Sequence, residues 1–223
     1  MVQAETLPFR DRIASDSPLR ESQRRYLRWK YPAEYLFAAL AALLLLPLFV
    51  IIPILIKLDS AGPLFFRQIR IGKDLRPFEI FKFRTMAHGA HELQRELQKI
   101  NEMSGGGLFK SDHDPRITRV GRILRKLSLD ELPQLLNILR GDMTIIGPRP
   151  LSTTVPMYRL SQLRRFVVKP GLGCFWQAYH RGETNFEAWI ESDLQYIDAM
   201  CATLDLKLLF VIAKNTVLMN GAR

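Results

Sequence analysis

Two adjacent carboxylic acids, Asp130 and Glu131, are the residues of this chain best suited to chemistry. They lie in the stretch Ser128-Leu129-Asp130-Glu131-Leu132-Pro133, between two basic apolar segments. Ser128 and Glu131 have the spacing of a capping box, and Asp130 is the alternative cap. Either frame places both acids at a helix N-terminus, where the helix dipole and free N–H groups stabilise negative charge. Asp130 is therefore expected to be ionised at neutral pH, although capping alone would also explain the pair.

Arginines near the pair favour a site that acts on a phosphate. Arg125 lies one helical turn before the pair, and Arg149 lies between Pro148 and Pro150, which stiffen its backbone. A carboxylate that attacks a diphosphate brings anion against anion, so such a site needs fixed positive charge and usually a divalent ion. A glycosidase site does not fit, because neighbouring acids cannot flank a sugar from opposite faces.

The composition points to an anionic partner. The chain has 223 residues, a formal net charge of +10 and a pI of about 9.9. This charge favours nucleic acid, a phospholipid surface or a phosphorylated substrate, and is also compatible with a soluble protein that has one basic face. The length is sufficient for one domain with its own core. Cys174 and Cys201 lack metal or redox spacing and are expected to be reduced thiols in a cytosolic compartment.

Residues 35–56 form an uncharged apolar block that is long enough to cross a bilayer, for which about 20 residues suffice. The block is not expected to be a cleaved signal, because it lies far from Met1 and no small-residue cleavage site follows it. Pro47 and Pro53 fall inside it, and Glu34 stands at its start. Both flanks are basic: Arg24, Arg25, Arg28 and Lys30 precede the block, and Lys57, Arg67, Arg70 and Lys73 follow it. The positive-inside rule then places both ends on the cytoplasmic side, which predicts a re-entrant helix broken at Pro47, with a kinked spanning helix as the alternative.

The remaining pattern predicts a mixed α+β fold, mostly helical, with a small β-hairpin. We expect a mobile basic N-terminal arm over residues 1–29, the re-entrant helix over 30–58, and a cytoplasmic-face catalytic domain with interfacial helices over 59–223. The hairpin turns at Gly72-Lys73-Asp74, and its second strand carries Lys82 and Arg84 on one face. These two side chains either meet a phosphate or form the solvated face. Helices are expected over residues 88–100, 117–126, 151–165, 186–196 and 204–219, a turn over 169–173, and a short strand or buried aromatic stretch over 174–179.

A competing interpretation of residues 117–140 is a helix-turn-helix, because two helical segments with a basic surface flank a break. A membrane-tethered nucleic-acid-binding regulator is the alternative function. Its weakness is the carboxylate pair, which would repel DNA where the second helix begins.

Long motifs in this chain resemble the bacterial sugar transferase family, the monotopic phosphoglycosyl transferases that act on polyprenyl phosphate. The resemblance runs from about residue 30 to the C-terminus and includes Gly141-Asp142-Met143. Further matching segments are Leu127-Ser128-Leu129-Asp130-Glu131-Leu132-Pro133-Gln134-Leu135, Gly147-Pro148-Arg149-Pro150, Phe81-Lys82-Phe83-Arg84-Thr85-Met86, Asp114-Pro115-Arg116 and Lys169-Pro170-Gly171-Leu172-Gly173. The chain departs from the family at Leu46, where members often have Ser, and at residues 180–185, where members usually have Gly-Arg-Asn.

The resemblance implies that a UDP-sugar gives its sugar-1-phosphate to undecaprenyl phosphate in the bacterial inner membrane, as the first membrane step of polysaccharide or glycoconjugate assembly. Asp130 would be the nucleophile and Glu131 its partner, with Mg²⁺ held at the pair. Arg149, Arg125, Lys82 and Arg84 would bind phosphate, and Glu34 and Pro47 would belong to the membrane helix. The expected partners are a nucleoside-diphosphate sugar, undecaprenyl phosphate and membrane lipids, but no nucleic acid. A homodimer is compatible with the sequence, which does not fix the oligomeric state.

Overall fold

The structure is a computed structural model, which describes residues 19–87, 89–90, 116–151, 160–180 and 185–218. The fold is mostly helical, with two small two-stranded sheets. Its helices and strands are α1 (Glu21–Leu44), α2 (Leu46–Asp59), β1 (Phe65–Ile71), β2 (Pro77–Phe83), α3 (Arg119–Lys126), α4 (Gln134–Leu139), β3 (Thr144–Ile146), β4 (Gly171–Gly173), α5 (Phe175–Tyr179), α6 (Phe186–Ala199) and α7 (Ala202–Val217). The predicted helix over residues 88–100 lies outside the described residues, apart from 89 and 90.

The apolar block forms a bent pair of helices, α1 and α2, which meet at Leu45 at an angle of 60°. Pro47 is in the first turn of α2, where its missing N–H leaves no helical hydrogen bond unmade. Part of the freed backbone is satisfied at the break, because the Leu45 carbonyl accepts hydrogen bonds from the amides of Leu48 and Phe49. The bend therefore falls at the proline where the sequence predicted it, whereas α2 continues through Pro53.

Among the described helices, none is by itself long and apolar enough to span a bilayer. Helices α1 and α2 taken together are long and apolar enough. Large apolar side chains cover their outer surface. Those exposed are Trp29, Tyr35, Leu36, Phe37, Leu40, Leu43, Leu44, Leu46, Val50, Ile51, Ile54, Leu55 and Leu58. An apolar surface of this size indicates contact with something other than water.

Helix α1 begins at Glu21, so the predicted boundary between a mobile arm and the membrane helix, at residues 29 and 30, falls inside a helix. Side chains of its first turns are buried against the C-terminal helices, which explains why this segment is ordered. Gln23 donates a hydrogen bond to the Ile197 carbonyl (2.6 Å), and Leu27 packs in the same core cluster as Ile197. Lys30, one of the basic residues that precede the apolar block, is also buried.

The predicted hairpin is present, with β1 and β2 antiparallel from the pair Phe65–Phe83 to the pair Ile71–Pro77. A 3₁₀ turn at Lys73–Leu75 connects the strands. On the free edge of β2, the Asn137 side chain of α4 accepts from the Phe81 amide and donates to the Glu79 carbonyl. An asparagine side chain thus takes the place of a third strand and fixes α4 against the hairpin.

A second, parallel sheet of β3 and β4 was not predicted; residues 169–173 were expected to form a turn. Backbone approach explains the glycines there, since a Cβ on Gly171 would lie 2.1 Å from the Gly147 amide nitrogen. Residues 174–179 were expected to form a short strand or a buried aromatic stretch. They form helix α5 with Trp176 buried, and Cys174 opens it by donating its amide to the Gln177 side chain (3.0 Å).

The C-terminal half is mostly helical. Of the helix predicted over residues 151–165, the structure describes Leu151 and residues 160–165, and the latter belong to a 3₁₀ helix at Leu160–Val167. Helices α6 and α7 match the predicted helices and bury Tyr196, Ile197 and Leu208 in a core shared with β3. Both cysteines are free, as predicted.

Candidate active site

A tight reversal of the backbone presents the acid pair. Helix α3 ends at Lys126, and Ser128 adopts a left-handed conformation (φ +55°) before a 3₁₀ turn at Leu129–Glu131. Leu129 and Leu132 pack towards the core around Phe83, which leaves Asp130 and Glu131 on the other side of the turn. Helix α4 follows, with Pro133 as its N-cap residue. The acids therefore precede a helix, as predicted, but lie in the turn before it.

The predicted capping box is absent from this turn. The Ser128 side chain makes no capping hydrogen bond, and the Glu131 amide donates to the Ser128 carbonyl at 3.3 Å instead. The Glu131 side chain has other partners: its Oε1 accepts from Lys82 Nζ at 2.6 Å and from Arg149 Nη2 at 3.4 Å. Lys82 and Arg149 thus turn the second acid away from a capping role.

Asp130 and Glu131 are both largely buried but meet their cations differently. Lys82 Nζ lies 4.0 Å from Asp130 Oδ2, against 2.6 Å from Glu131 Oε1. Asp130 and Glu131 expose 12% and 14% of their side chains, and Lys82 and Arg149 expose 20% and 29%. Solvent or a ligand can therefore reach the two acids along the more exposed side chains of Lys82 and Arg149. Asp130 remains the less neutralised acid.

This asymmetry moves the two pKa values apart. Burial raises the pKa of Asp130 to about 6, although Lys82 lowers it and Glu131 raises it further, with Arg125 and Arg149 opposing. Burial would also raise the pKa of Glu131, but Lys82 and Arg149 overcome this and lower it to about 2. Two adjacent acids with separated pKa values are typical of sites where each has its own role. Asp130 stays mostly ionised at neutral pH, as expected, but because of the neighbouring cations.

Arg125 belongs to the same site. Its Nε donates to Thr85 Oγ1 at 3.0 Å, which fixes the guanidinium near the end of β2, and its charge lowers the pKa of Asp130. Helix α3 packs closely on this strand end, because a Cβ on Gly121 would lie 2.1 Å from the Thr85 carbonyl oxygen. Close packing at Gly121 brings the arginine within electrostatic reach of the pair.

The structure places Arg84, Glu34 and Pro47 away from the acid pair. Arg84 donates to the carbonyls of Pro63 (2.6 Å) and Ser60 (2.6 Å), at the C-terminal end of α2. The predicted common face of Lys82 and Arg84 is therefore split between two tasks, and the phosphate role of Arg84 stays a prediction that this position does not favour. Glu34 accepts from Thr144 Oγ1 and the Ile145 amide of β3, and Pro47 is at the bend.

Comparison with known proteins adds the family. A family model described as bacterial sugar transferase matches residues 25–219. The chain belongs to the bacterial sugar transferase family. The resemblance predicted from the motifs is thus confirmed.

Three curated relatives show how far this similarity extends. This sugar transferase is 36% identical over 193 residues to the exopolysaccharide production protein ExoY of Rhizobium meliloti (strain 1021), with 85% of each chain covered. It is 36% identical over 205 residues to the UDP-glucose:undecaprenyl-phosphate glucose-1-phosphate transferase of Escherichia coli (strain K12), covering 88% of this chain and 41% of that protein. It is 38% identical over 166 residues to the galactosyl transferase CpsE of Streptococcus agalactiae serotype III (strain NEM316), covering 74% of this chain and 37% of CpsE. The chain therefore spans most of one relative and less than half of the other two.

The sequence did not identify the cluster that joins α1 of this sugar transferase to α7. Lys30 Nζ bonds to Asp205 Oδ2 and lies 3.1 Å from Glu34 Oε1, and Tyr196 donates to Asp205 Oδ1 at 2.9 Å. Lys30 is thus a basic partner of Glu34, which lies four residues further along the same helix. In the sequence, Asp205 is a lone acid in an apolar helix. Its role becomes evident only when the structure shows that a buried lysine faces it.

Proposed function

We propose that this sugar transferase moves a sugar-1-phosphate from a UDP-sugar to undecaprenyl phosphate through a covalent intermediate on Asp130. The observation that carries the proposal is the unequal environment of the acid pair. Asp130 has a pKa of about 6 and lies 4.0 Å from Lys82, whereas Glu131 is held by both Lys82 and Arg149. A carboxylate that is ionised but incompletely neutralised is suited to nucleophilic attack.

In the first step, an Asp130 oxygen attacks the phosphorus next to the sugar. The bond from that phosphorus to the bridging oxygen breaks, and UMP leaves with the electron pair. In the second step, an oxygen of undecaprenyl phosphate attacks the same phosphorus, the bond to Asp130 breaks, and the carboxylate is restored. The product is a sugar linked to the lipid by a diphosphate.

Lys82, Arg125 and Arg149 supply the fixed positive charge that this reaction needs. Two anions approach each other in each step, and preorganised cations lower that cost without reorganising. Arg149 is the best placed for the diphosphate, because its guanidinium is anchored on Glu131 at 3.4 Å and remains 29% exposed. Glu131, with its pKa of about 2, keeps Lys82 and Arg149 in place.

Asp130 and Glu131, together with the substrate, would hold Mg²⁺ at this site. Within the described ranges, no group of three or more His, Cys, Asp or Glu residues is arranged to hold a metal ion. Two carboxylates nonetheless suffice for Mg²⁺, which usually keeps water and phosphate oxygens as its other ligands. When bound, the ion would screen the charge of the diphosphate.

The bent helices α1 and α2 are proposed as a re-entrant membrane element, with both ends on the cytoplasmic face of the bacterial inner membrane. The exposed apolar surface and the basic flanks support this arrangement. Arg84 joins the element to the site, because it ties the end of α2 to the strand that carries Lys82. The lipid phosphate would then reach Asp130 at the membrane surface. A cysteine placed at position 28 should stay unlabelled by a periplasmic thiol reagent; labelling would refute the re-entrant arrangement.

The geometry argues against the alternative, a DNA-binding helix-turn-helix over residues 117–140. Helix α4 has six residues, and Gln134, Leu135, Asn137 and Ile138 are buried. Because Asn137 also holds the edge of β2, this helix cannot enter a DNA groove.

Release of UMP from a panel of UDP-sugars, in the presence of undecaprenyl phosphate and Mg²⁺, tests the proposed function. We expect one sugar to support release, and Asp130→Asn to lose at least about 10³-fold of the rate. Glu79→Gln is the control, since that carboxylate lies on β2, the strand that carries Lys82, and is 38% exposed. Retained turnover in Asp130→Asn would remove Asp130 as the nucleophile.

A further inference from the structure

The backbone of Arg149 is held on both sides by a buried ion pair that the chemistry above does not use. The Arg149 amide donates to Asp193 Oδ1 at 3.4 Å, and the Arg149 carbonyl accepts from Arg165 Nη2 at 2.6 Å. Arg165 comes from the 3₁₀ helix Leu160–Val167 and Asp193 from α6. Two elements distant in sequence thus meet at one residue of the proposed phosphate-binding site.

Asp193 and Arg165 close this arrangement into a ring. Arg165 Nε and Nη2 both donate to Asp193 Oδ2, the former at 3.1 Å. The side chains of both residues are only 1% exposed. We call the pair the Arg149 clamp. It fixes the amide and the carbonyl of one residue, and therefore the direction in which its Cα–Cβ bond points.

The neighbouring residues make the clamp effective. Pro148 and Pro150 have no amide hydrogen, so the Arg149 amide is the one backbone donor of this tripeptide. The Pro150 carbonyl accepts from Arg70 Nη1 at 3.2 Å, and the Leu151 carbonyl accepts from the Ile71 amide of β1. The prolines restrict backbone rotation on both sides of Arg149, and the clamp fixes where that restricted backbone lies.

Stability alone does not account for a buried ion pair at this place. Desolvation of two charges roughly offsets their attraction, and an apolar pair of similar volume is often as stable or more so. The same two elements carry a second pair, Arg164 and Asp198, with an N–O distance of 2.6 Å and with 25% and 49% of the side chains exposed. That more exposed pair holds the same two elements together at a lower desolvation cost, which leaves the hold on Arg149 as the distinguishing feature of the clamp.

We propose that Asp193 and Arg165 are positioning residues, which hold the Arg149 guanidinium where the diphosphate of the sugar donor binds. The inference rests on the proposed function, in which Arg149 binds that diphosphate. Correct placement of one charged group is commonly worth about 10- to 100-fold in rate or affinity.

A double-mutant cycle tests this role. The clamp variant Arg165→Met with Asp193→Leu removes both charges together, so that no lone buried charge is left to unfold the protein. We expect it to raise the KM for the UDP-sugar about 10-fold or more. In an Arg149→Ala background, the same two substitutions should change KM less than about 2-fold, because the residue that they position is gone.

Controls separate positioning from folding. Arg164→Met with Asp198→Leu makes the same substitutions in the exposed pair and should leave KM unchanged. A purely structural role for the clamp would lower the active fraction, and hence the apparent kcat, at constant KM. If the clamp variant does not fold, Arg165→Lys replaces it, because lysine can still pair with Asp193 but lacks the fork that also reaches the Arg149 carbonyl.

The outcomes are distinguishable. A wild-type enzyme that releases UMP, together with clamp and Arg149 effects on KM that multiply independently, would overturn the clamp and leave the proposed function intact. A raised KM in the clamp variant that disappears in the Arg149→Ala background supports it. Absence of UMP release from every UDP-sugar by the wild-type enzyme would overturn the proposed function, and the clamp with it.

Discussion

Two groups of charged side chains adjoin opposite ends of the segment that runs from β3 to Arg149, and they differ in how completely their charges are paired. The base cluster, where α1 meets α7 and β3, consists of Lys30, Glu34, Tyr196 and Asp205. The site cluster consists of Lys82, Asp130, Glu131 and Arg149. In the base cluster, Lys30 contacts both acids, Tyr196 donates to Asp205, and Glu34 also binds backbone amides. In the site cluster, both cations contact Glu131, and Asp130 is left 4.0 Å from Lys82.

This difference separates a structural cluster from a chemical one. Complete pairing lowers the cost of burial and fixes the helices in place, but it leaves no group free to react. Incomplete pairing keeps Asp130 nucleophilic and costs stability, because a buried carboxylate with a raised pKa is ionised against its environment. Removing an acid should therefore destabilise the base cluster, whereas in the site cluster the loss of the Asp130 charge should stabilise the protein.

The largest effect on stability is expected in the base cluster. Asp205→Ala removes the acid that faces Lys30, Tyr26 and Tyr196 and leaves the buried ammonium incompletely paired. Breaking a buried pair in this way costs about 3–5 kcal/mol. Denaturant or thermal unfolding of the detergent-solubilised protein measures the loss. Asp198→Ala is the control, since Asp198 is 49% exposed on α6 and should cost little. Equal stability of the two variants would contradict the structural role of the base cluster.

Asp130→Asn should instead stabilise the protein while abolishing its activity. The pKa of Asp130 is raised from 3.8 to about 6, so the folded state binds its proton more tightly than the unfolded state does. The associated stability is present below pH 4 and is lost as the pH rises through 6. At pH 7 a neutral amide avoids this loss, which amounts to about 1–3 kcal/mol.

The neighbouring acid provides the contrast. The pKa of Glu131 is lowered to about 2, so its ionised form stabilises the folded state at pH 7, and Glu131→Gln should destabilise. The free energy of unfolding of Asp130→Asn and of Glu131→Gln, measured at pH 7 and again near pH 4, shows whether each substitution stabilises or destabilises the protein. Destabilisation by both at pH 7 would show that Asp130 is as well paired as Glu131.

The smallest predicted effect is a change in the pH dependence of turnover. Because the reaction needs ionised Asp130, the rate of UMP release should fall about tenfold per pH unit below pH 6. Lys82 is the strongest of the cations that lower this pKa, so Lys82→Met should move the acid limb up by about one pH unit. Arg67→Met, an exposed cation on β1, is the matched control and should leave the profile unchanged. An unshifted limb in Lys82→Met would separate Lys82 from the titration of Asp130.

Local sequence patterns predicted what depends on neighbours along the chain. The hairpin follows from alternation around Gly72, the bend from Pro47, and the acid pair with Arg125 and Arg149 from residue types that suit phosphate chemistry. Family membership followed from long motifs. The hairpin and the bend are each encoded within a few residues, so one sequence suffices to find them.

Features that depend on distant contacts were missed or misassigned. The parallel sheet needs Gly171 to approach Gly147, which no local pattern records. Lys30 was identified only as part of the basic flank of the apolar block, and its buried partner Asp205 lies 175 positions away. Arg84 was expected to share one face of the strand with Lys82, but it lies just past the end of β2 and donates to the Ser60 carbonyl at the end of α2. The capping box failed because Lys82 and Arg149 compete for Glu131.

The most direct test of the central claim is mass spectrometry of the enzyme incubated with its UDP-sugar and Mg²⁺ in the absence of undecaprenyl phosphate. We predict one added sugar-phosphate on the peptide that contains Asp130, its loss when undecaprenyl phosphate is added, and no adduct in Asp130→Asn. Glu131→Gln, which keeps the nucleophile, should still form the adduct, at a lower rate. An adduct on another residue, or turnover of the wild-type enzyme with no adduct on Asp130, would contradict the assignment.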